Sequence, residues 1–395
     1  MGWDSKRYDE GMDGHRRVVF AGAGHAHLHA LARVKEYTDR GLEVVLVAPD
    51  RFWYSGMGPG LLSGLYRPED DTVDVAELVT RGGGRYVQAP IALIDPMTRE
   101  VALQDGTRLG YKVLSLNVGS EVPLDGIEGA RELGVPVKPV RHLAELHDHW
   151  STLPENHPAL RVVVIGGGAA GCEVAANARR LLRDRGIPSR IILVTSQPRL
   201  LDRHPLAAHK TILRWLNRAA VEVQLSSQVR RLESGRLHLA GGDVMECDVA
   251  LFATGVRPPP LLAESGLATA EDGALLVNDH LQSVSHPEVF GGGDCVTLHD
   301  RPLDRVGVYA VRQAPVLHGN VLAAASGGPL RRFKPQKRYL LILNLGDGTG
   351  LLLWHRWVVH AGWAFRVKDR LDRRFVARFR TRNAPAPVPS VSSLR

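Results

Sequence analysis

The sequence predicts an α/β protein with two parallel-sheet units of one kind, the second inserted in the first, followed by a small C-terminal α+β region. Three observations predict it. From Arg17 to Asp50 a strand, a glycine turn, a helix and a second strand succeed one another (RVVFAGAGHAHLHALARV, then LEVVLVAPD). The pattern returns as LRVVVIGGGAAGCEVAANARRLL and IPSRIILVTSQ, with Gly166 following Gly22 by 144 residues. Late in the chain, two more apolar runs end in glycine (ALFATGVRP and HPEVFGGGD).

Each repeat has the layout of a dinucleotide-binding βαβ unit of the Rossmann type. Gly22 permits the tight turn and Gly24 the approach of a pyrophosphate. The following helix N-terminus offers free N–H groups and partial positive charge. Asp50 stands where a carboxylate accepts bonds from ribose hydroxyls, and the third glycine is replaced by His27. In the second unit Gly166, Gly168 and Gly171 complete the GxGxxG spacing. There the acid expected after the second strand is missing and Thr195 takes its place, with Ser196, Gln197 and Arg199 beyond. A 2′-phosphate is then not repelled, so NADH and NADPH both stay open.

The GGGD phrase puts Gly293 and Asp294 at a strand end, where the carboxylate can bond ribityl or ribose hydroxyls. The helix expected from Gly307 (VGVYAVRQAPVLHGNVLAAA) can aim its N-terminus at a charge that develops on reduction. Gly119 and Ser120 close the strand in YKVLSLNVGS, and Gly255 closes the one in ALFATG.

Composition bounds the function. The chain has 395 residues, 44% hydrophobic, with 41 glycines and a formal charge of +8. It has no apolar run of about 18 residues that would span a bilayer. Its polar N-terminus has no apolar core for a secretory signal, and Lys6 stands where a myristoylation motif wants Ser or Thr. Cys172, Cys247 and Cys295 form no CxxC or CxxxxC pair, which excludes a disulfide framework and fits a reduced cytoplasm. The positive charge is local: residues 330–395 hold 15 Lys and Arg against 3 Asp and Glu, the rest 35 against 39. His25, His27 and His29 have no carboxylate or thiol beside them, and neither they nor His142, His147 and His149 are expected to hold a metal. The basic C-terminus lacks a nucleic-acid module.

In chain order, residues 1–15 read as a disordered leader, 16–140 and 251–328 as the first unit, and 155–250 as the second. Residues 329–383 read as a hairpin and helix, and 384–395 as a disordered tail. FWYSGMGPGLLSGLYRPED reads as a loop with Tyr54, Met57 and Pro59 able to line a flat ligand. A small antiparallel sheet is expected between Gly84 and Leu116, and helices over 73–81 and 141–152. In GWAFRVKDRLDRRFVARFR, Trp363, Val367, Leu371, Phe375 and Phe379 recur every four residues. Arg366, Lys368, Arg370, Arg373, Arg374, Arg378 and Arg380 fill the other faces. That pattern suits an anionic membrane interface, or else docking on the body.

GAGHAH, YSGMGPGLLSG, NVGSEVP, ATGVRP, GGGD, VYAVRQAPVL and KDRLDRRF together resemble the two-dinucleotide flavoprotein (pyridine nucleotide–disulfide oxidoreductase) superfamily, from about Arg17 to Ala325. Within it the chain resembles type II NADH dehydrogenases, and is similar to the flavoprotein segment fused ahead of selenide, water dikinase. The resemblance implies that Gly22, Gly24 and Asp50 hold FAD, with Asp294 on its ribityl or phosphate side, and that Gly166, Gly168 and Gly171 receive NADH or NADPH. His25, Ala26, Tyr54, Met57, Pro59, Gly119, Thr195, Gly255, Gly293 and Ala310 complete the candidate cofactor-binding set. Glu173 matches a Glu near the nicotinamide–flavin contact, and Gln313 a quinone-side Gln. These two are the catalytic candidates. The Tyr54–Pro59 loop replaces the one that carries redox cysteines in disulfide reductases.

The expected activity is therefore hydride transfer from NAD(P)H to FAD, then two electrons to an acceptor. A quinone at the inner face of the cell membrane is the first choice, and a soluble acceptor in selenium or sulfur metabolism the second. A non-catalytic flavin-binding sensor or assembly subunit is a third reading, and a homodimer is left open.

Overall fold

The computed structural model describes residues 14–48, 51–154 and 156–380. Asp50, most of the expected leader and all of the expected tail lie outside the described residues.

Two five-stranded parallel sheets organise the chain. The first has the order Val289–Gly291, Val113–Leu116, Arg17–Ala21, Glu43–Val47, Arg85–Val87. The second runs Gly134–Pro136, Val249–Phe252, Leu160–Ile165, Ser189–Val194, Val221–Gln224. Helices cover the faces of such sheets, so their strands are continuous apolar runs rather than alternating ones. Val18, Val19, Phe20 and Ala21 are accordingly all fully buried, as are Val162, Val163 and Val164.

Four expectations need correction. Arg85–Val87 is an edge strand of the first parallel sheet, and only Ile91–Asp95, Glu100–Leu103 and Arg108–Gly110 make the small antiparallel sheet. Gly134–Pro136, placed in the first unit by sequence, pairs with Val249–Phe252 and extends the second sheet. Val249–Phe252 itself returns the chain through the second sheet before the first is resumed. The segment after Arg51 is no open loop. Phe52–Trp53 pairs with Thr72–Val73, and Gly58–Leu62 is a buried helix with Met57 and Pro59 inside it or at its start.

The expected helices appear as Val75–Arg81, Arg141–Ser151, Gly307–Ser326 and Gly362–Ala377. The C-terminal region is a three-stranded antiparallel sheet (Leu341–Asn344, Gly350–Trp354, Trp357–Ala361) followed by the last of these helices. It is anchored on the second glycine helix, Ala169–Asp184: Asn177 Nδ2 donates to Asn344 O at 3.0 Å, and Arg180 to Gly346 O at 2.5 Å. Among the described residues no helix is long and apolar enough to cross a membrane.

Candidate active site

In the second unit the three glycines divide their labour as the spacing requires. A Cβ on Gly166, whose φ is +125°, would lie 2.2 Å from Ala253 O. One on Gly171 would lie 1.8 Å from Gly166 O, so glycine there lets the helix close on the strand. A Cβ on Gly168, the N-cap of Ala169–Asp184, meets nothing within 4 Å. Space is left where a pyrophosphate approaches the helix N-terminus. Thr195 is buried at the end of its strand, against Gly167, while Ser196 and Gln197 are exposed. Gly255 has φ +103° and open space beside it.

The first glycine turn is tied down by a residue that sequence reasoning did not single out. Asn117 Oδ1 accepts from the N–H of Ala26 at 2.9 Å and of His27 at 3.3 Å, and its Nδ2 donates to Gly292 O at 2.6 Å. A Cβ on Gly22 (φ +86°) would lie 2.4 Å from Asn117 O, and one on Gly24 2.4 Å from Asn117 Oδ1. His27 fills the place of the third glycine productively. Fully buried, its Nδ1 lies 2.6 Å from Gly22 O and its Nε2 2.8 Å from Ser115 Oγ. Burial pushes its pKa down to about 4, so the ring is neutral and donates one bond while accepting the other. The three imidazoles have different surroundings: His29 meets Arg33 and His318, and His25 meets Phe52, Tyr54 and Phe375.

His25 marks the centre of the site. Its ring packs edge-on to Phe52 at 4.8 Å, near Tyr54 at 5.3 Å, and stacks on Phe375 at 5.8 Å. A Cβ on Gly307, the first residue of the Gly307–Ser326 helix, would lie 3.7 Å from His25 Nε2. The helix N-terminus thus opens where the first glycine turn ends. Burial lowers the His25 pKa to about 4 against the attraction of Asp294.

Asp294 Oδ2 accepts from Lys138 Nζ and Ser120 Oγ, each at 2.8 Å. Burial alone would raise its pKa, but the Lys138 ammonium and these two bonds hold the carboxyl below its ordinary value. It is a fixed anion at the GGGD turn. Gly119 (φ +77°) leaves open space beside it, and Ala26 and Ala310 pack against Gly292 and Gly293. Gln313 is buried, and its Oε1 accepts the Gly293 N–H at 2.7 Å, which ties its side chain to the GGGD turn.

The acidic candidate Glu173 lies on the second glycine helix, its Oε1 accepting the Asn344 N–H at 2.6 Å. Burial raises its pKa to about 7, with Lys368 and the Asn344 bond opposing. Lys368, read from sequence as part of a solvated basic face, is in fact buried. Its Nζ donates to Asp372 Oδ2 at 2.6 Å and Gly56 O at 2.5 Å. Burial disfavours the ammonium, yet Asp372 and Glu173 raise its pKa and keep it charged. Tyr54 donates to Asp372 Oδ1 at 2.9 Å and stands 4.9 Å from Phe375. The last helix therefore bears on both units: Phe375 stacks on His25 of the first glycine turn, and the Lys368 charge acts on Glu173 of the second.

All three cysteines are buried and free. Burial pushes the thiols up, to about 11 for Cys247 and Cys295 and further for Cys172. None faces the Tyr54 side of the site as a thiol pair would have to.

These features fit the two groups the fold calls for. The first turn, Lys138-fixed Asp294 and the Gly307 helix end suit FAD, and the Gly166–Gly171 turn suits NADH or NADPH. A flavin supplies the capacity to take hydride and pass electrons on.

Comparison with known proteins agrees. The chain is 26% identical over 355 residues to ferroptosis suppressor protein 1 of Taeniopygia guttata, covering 86% of this chain and 89% of that one. It is 27% identical to the alternative NAD(P)H-ubiquinone oxidoreductase C1 of Arabidopsis thaliana (84% and 70% covered). With demethylphylloquinone reductase NdbB of Synechocystis it shares 25% identity (86% and 89%). The fold matches the sulfide:quinone oxidoreductase of Aquifex aeolicus with a TM-score of 0.77 at 18% identity, over 92% of this chain and 91% of that one. It matches NDH2 of Plasmodium falciparum with a TM-score of 0.75 at 13% identity (91% and 97%). The pyridine nucleotide-disulphide oxidoreductase family model matches residues 16–316, and the chain belongs to that family.

Proposed function

We propose that the chain is an FAD-dependent NAD(P)H:quinone oxidoreductase that meets its acceptor at a membrane surface. The observation that carries this reading is the two-faced helix Gly362–Ala377. Trp363, Val367 and Leu371 turn outward and are 47, 39 and 52% exposed, while Lys368, Asp372 and Phe375 turn into the site. Trp354 and Trp357 on the adjoining hairpin are exposed as well. Tryptophans and aliphatic side chains ringed by arginine favour the boundary of an anionic bilayer. An apolar two-electron acceptor dissolved in that bilayer would arrive one helix-width from the cofactor site.

The protein's part is positioning, field and water exclusion. The Gly307 helix end and Lys368 offer positive potential, Asp294 anchors the cofactor's polyol side, and the aromatic set Phe52, Tyr54 and Phe375 keeps the site dry. With a neutral Thr195 at the adenosine ribose, NADH and NADPH are both accepted. Two Rossmann-type units without an accessible thiol pair favour an acceptor other than a disulfide. The test is anaerobic reduction of the bound flavin by each nucleotide, followed by mixing with a water-soluble quinone analogue. Reoxidation faster than by air-saturated buffer supports the proposal. Reduction without quinone-driven reoxidation favours a soluble acceptor, and no reduction at all favours a sensor.

A further inference from the structure

One buried acid has no part in the site as described. Asp71 ends the short helix Pro68–Asp71, is fully buried, and neither of its carboxylate oxygens has a hydrogen-bond partner among the described residues. Its backbone carbonyl accepts from the N–H of Tyr54 at 3.0 Å, the residue whose hydroxyl holds Asp372. The groups that face it are Asp70 on its own helix, Tyr54 on the neighbouring segment, and Lys368, Asp372 and Arg380 from the C-terminal segment. Asp70 is already committed to the Arg67 N–H and to Arg373, and Arg380 contacts the Glu69 carbonyl at the surface.

Charge counting gives this arrangement a meaning. Three carboxyl groups, Glu173, Asp372 and Asp71, surround one buried ammonium, Lys368. Asp372 takes the ammonium by direct contact, leaving the other two without an equivalent counter-charge in a region of low polarity. A buried carboxyl without a partner stays protonated. Glu69 on the same short helix is exposed, so this proton store lies two residues from a solvent-facing position.

The reaction requires such a store. NAD(P)H brings two electrons and one proton as hydride, whereas a quinone leaves as quinol with two electrons and two protons. Each turnover therefore draws one further proton from water. We propose that Asp71, buried beside the Asp372–Lys368 pair, holds that proton, gives it up as the acceptor is reduced to quinol, and is then reprotonated from solvent. The inference rests on the quinone reading above. Asp71 is a proton-holding residue and does not itself touch the acceptor. Burial, with repulsion from Asp372, raises its pKa to about 8, so it would carry the proton at neutral pH.

The test uses the full-length, FAD-loaded protein with Asp71→Asn, which cannot titrate, and Asp71→Glu, which can. Turnover is compared with a water-soluble quinone and with ferricyanide, whose one-electron reduction takes up no proton. In the wild type the ratio of quinone to ferricyanide rates should fall as pH rises through about 8. In Asp71→Asn the ratio should drop by about tenfold at pH 7 and lose that pH dependence, and Asp71→Glu should restore it. Infrared difference spectra between pH 6 and pH 10, taken in a Glu173→Gln background so that Glu173 does not contribute, should show a protonated-carboxyl band that Asp71→Asn removes. If Asp71→Asn keeps the wild-type ratio and pH profile, or if that band is absent, the proposal is overturned while the quinone reading stands. A wild type that reduces ferricyanide but no quinone overturns the acceptor reading and the delivery role with it, and the infrared band then still reports whether Asp71 holds a proton.

Discussion

Lys368 Nζ lies 2.6 Å from Asp372 Oδ2, one turn along the same helix, and the pair is buried against the Tyr54–Gly56 turn. A surface i,i+4 pair contributes a few tenths of a kcal/mol. A buried one behaves differently, because removing one member strands the other. Lys368→Met should destabilise the fold by about 3 kcal/mol in urea unfolding, and Lys368→Met with Asp372→Leu should recover much of that loss. Equal destabilisation in single and double variants would argue against the pair.

Gly171 and Gly168 should separate folding from binding. A methyl at Gly171 collides with Gly166 O, whereas one at Gly168 meets only open space. Gly171→Ala should lower the melting temperature by several degrees, on the order of 2 kcal/mol or more. Gly168→Ala should leave melting close to wild type and weaken NAD(P)H binding by about tenfold. Calorimetry and nucleotide titration measure the two effects.

His27→Gly would restore the standard glycine spacing, and on motif grounds it should be harmless. The structure says otherwise, since the ring bonds Gly22 O and Ser115 Oγ in a dry pocket. The expected loss is about 2–4 kcal/mol from the cavity and the orphaned groups. Denaturant unfolding of the FAD-free and FAD-loaded forms would reveal it.

Glu173 sets a pH dependence of stability. Its pKa rises from an ordinary 4.5 to about 7 on folding, so the folded state binds the proton more tightly. Its contribution is complete below pH 4.5 and is lost as pH climbs through 7. Glu173→Gln should therefore be more stable than wild type at pH 8, with the advantage vanishing near pH 4.5. His25 and His27 act at the other end. Both are lowered from 6.5 to about 4 by burial, so their contribution is lost as pH falls through that window.

The exposed face of the last helix should bind vesicles. Replacing Trp357, Trp363 and Leu371 together by Ser should abolish flotation with anionic liposomes and leave the melting temperature unchanged. Wild-type protein that stays off anionic liposomes would remove the membrane claim.

The sequence made the glycine turns legible because their demands are local: a positive φ, a missing Cβ and a helix N-terminus all lie within a few residues. The helices over 141–151, 307–326 and 362–377 were legible from periodicity for the same reason. Asn117 and Asp71 were not, since each matters only through residues brought from elsewhere. The last helix shows the limit most clearly. A step of four residues turns about 400°, so the stripe from Trp363 to Phe379 winds roughly 160° around the axis. Its first three members face outward, while Phe375 folds against His25 and Tyr54 and Phe379 packs on Phe375. Periodicity found the helix but could not say that Lys368 and Asp372 face the core. Met57 and Pro59 were likewise read as loop lining because glycine density hid a buried helical turn.

The central claim is electron transfer from a nicotinamide nucleotide through bound flavin to a quinone. Double-mixing stopped flow tests it most directly, with anaerobic NADH or NADPH added first and a soluble quinone second. Bleaching of the flavin absorbance on the first mix, and its return within the quinone phase at a rate that rises with quinone concentration, is the expected result. A flavin that either nucleotide bleaches but that quinone leaves reduced would contradict the account.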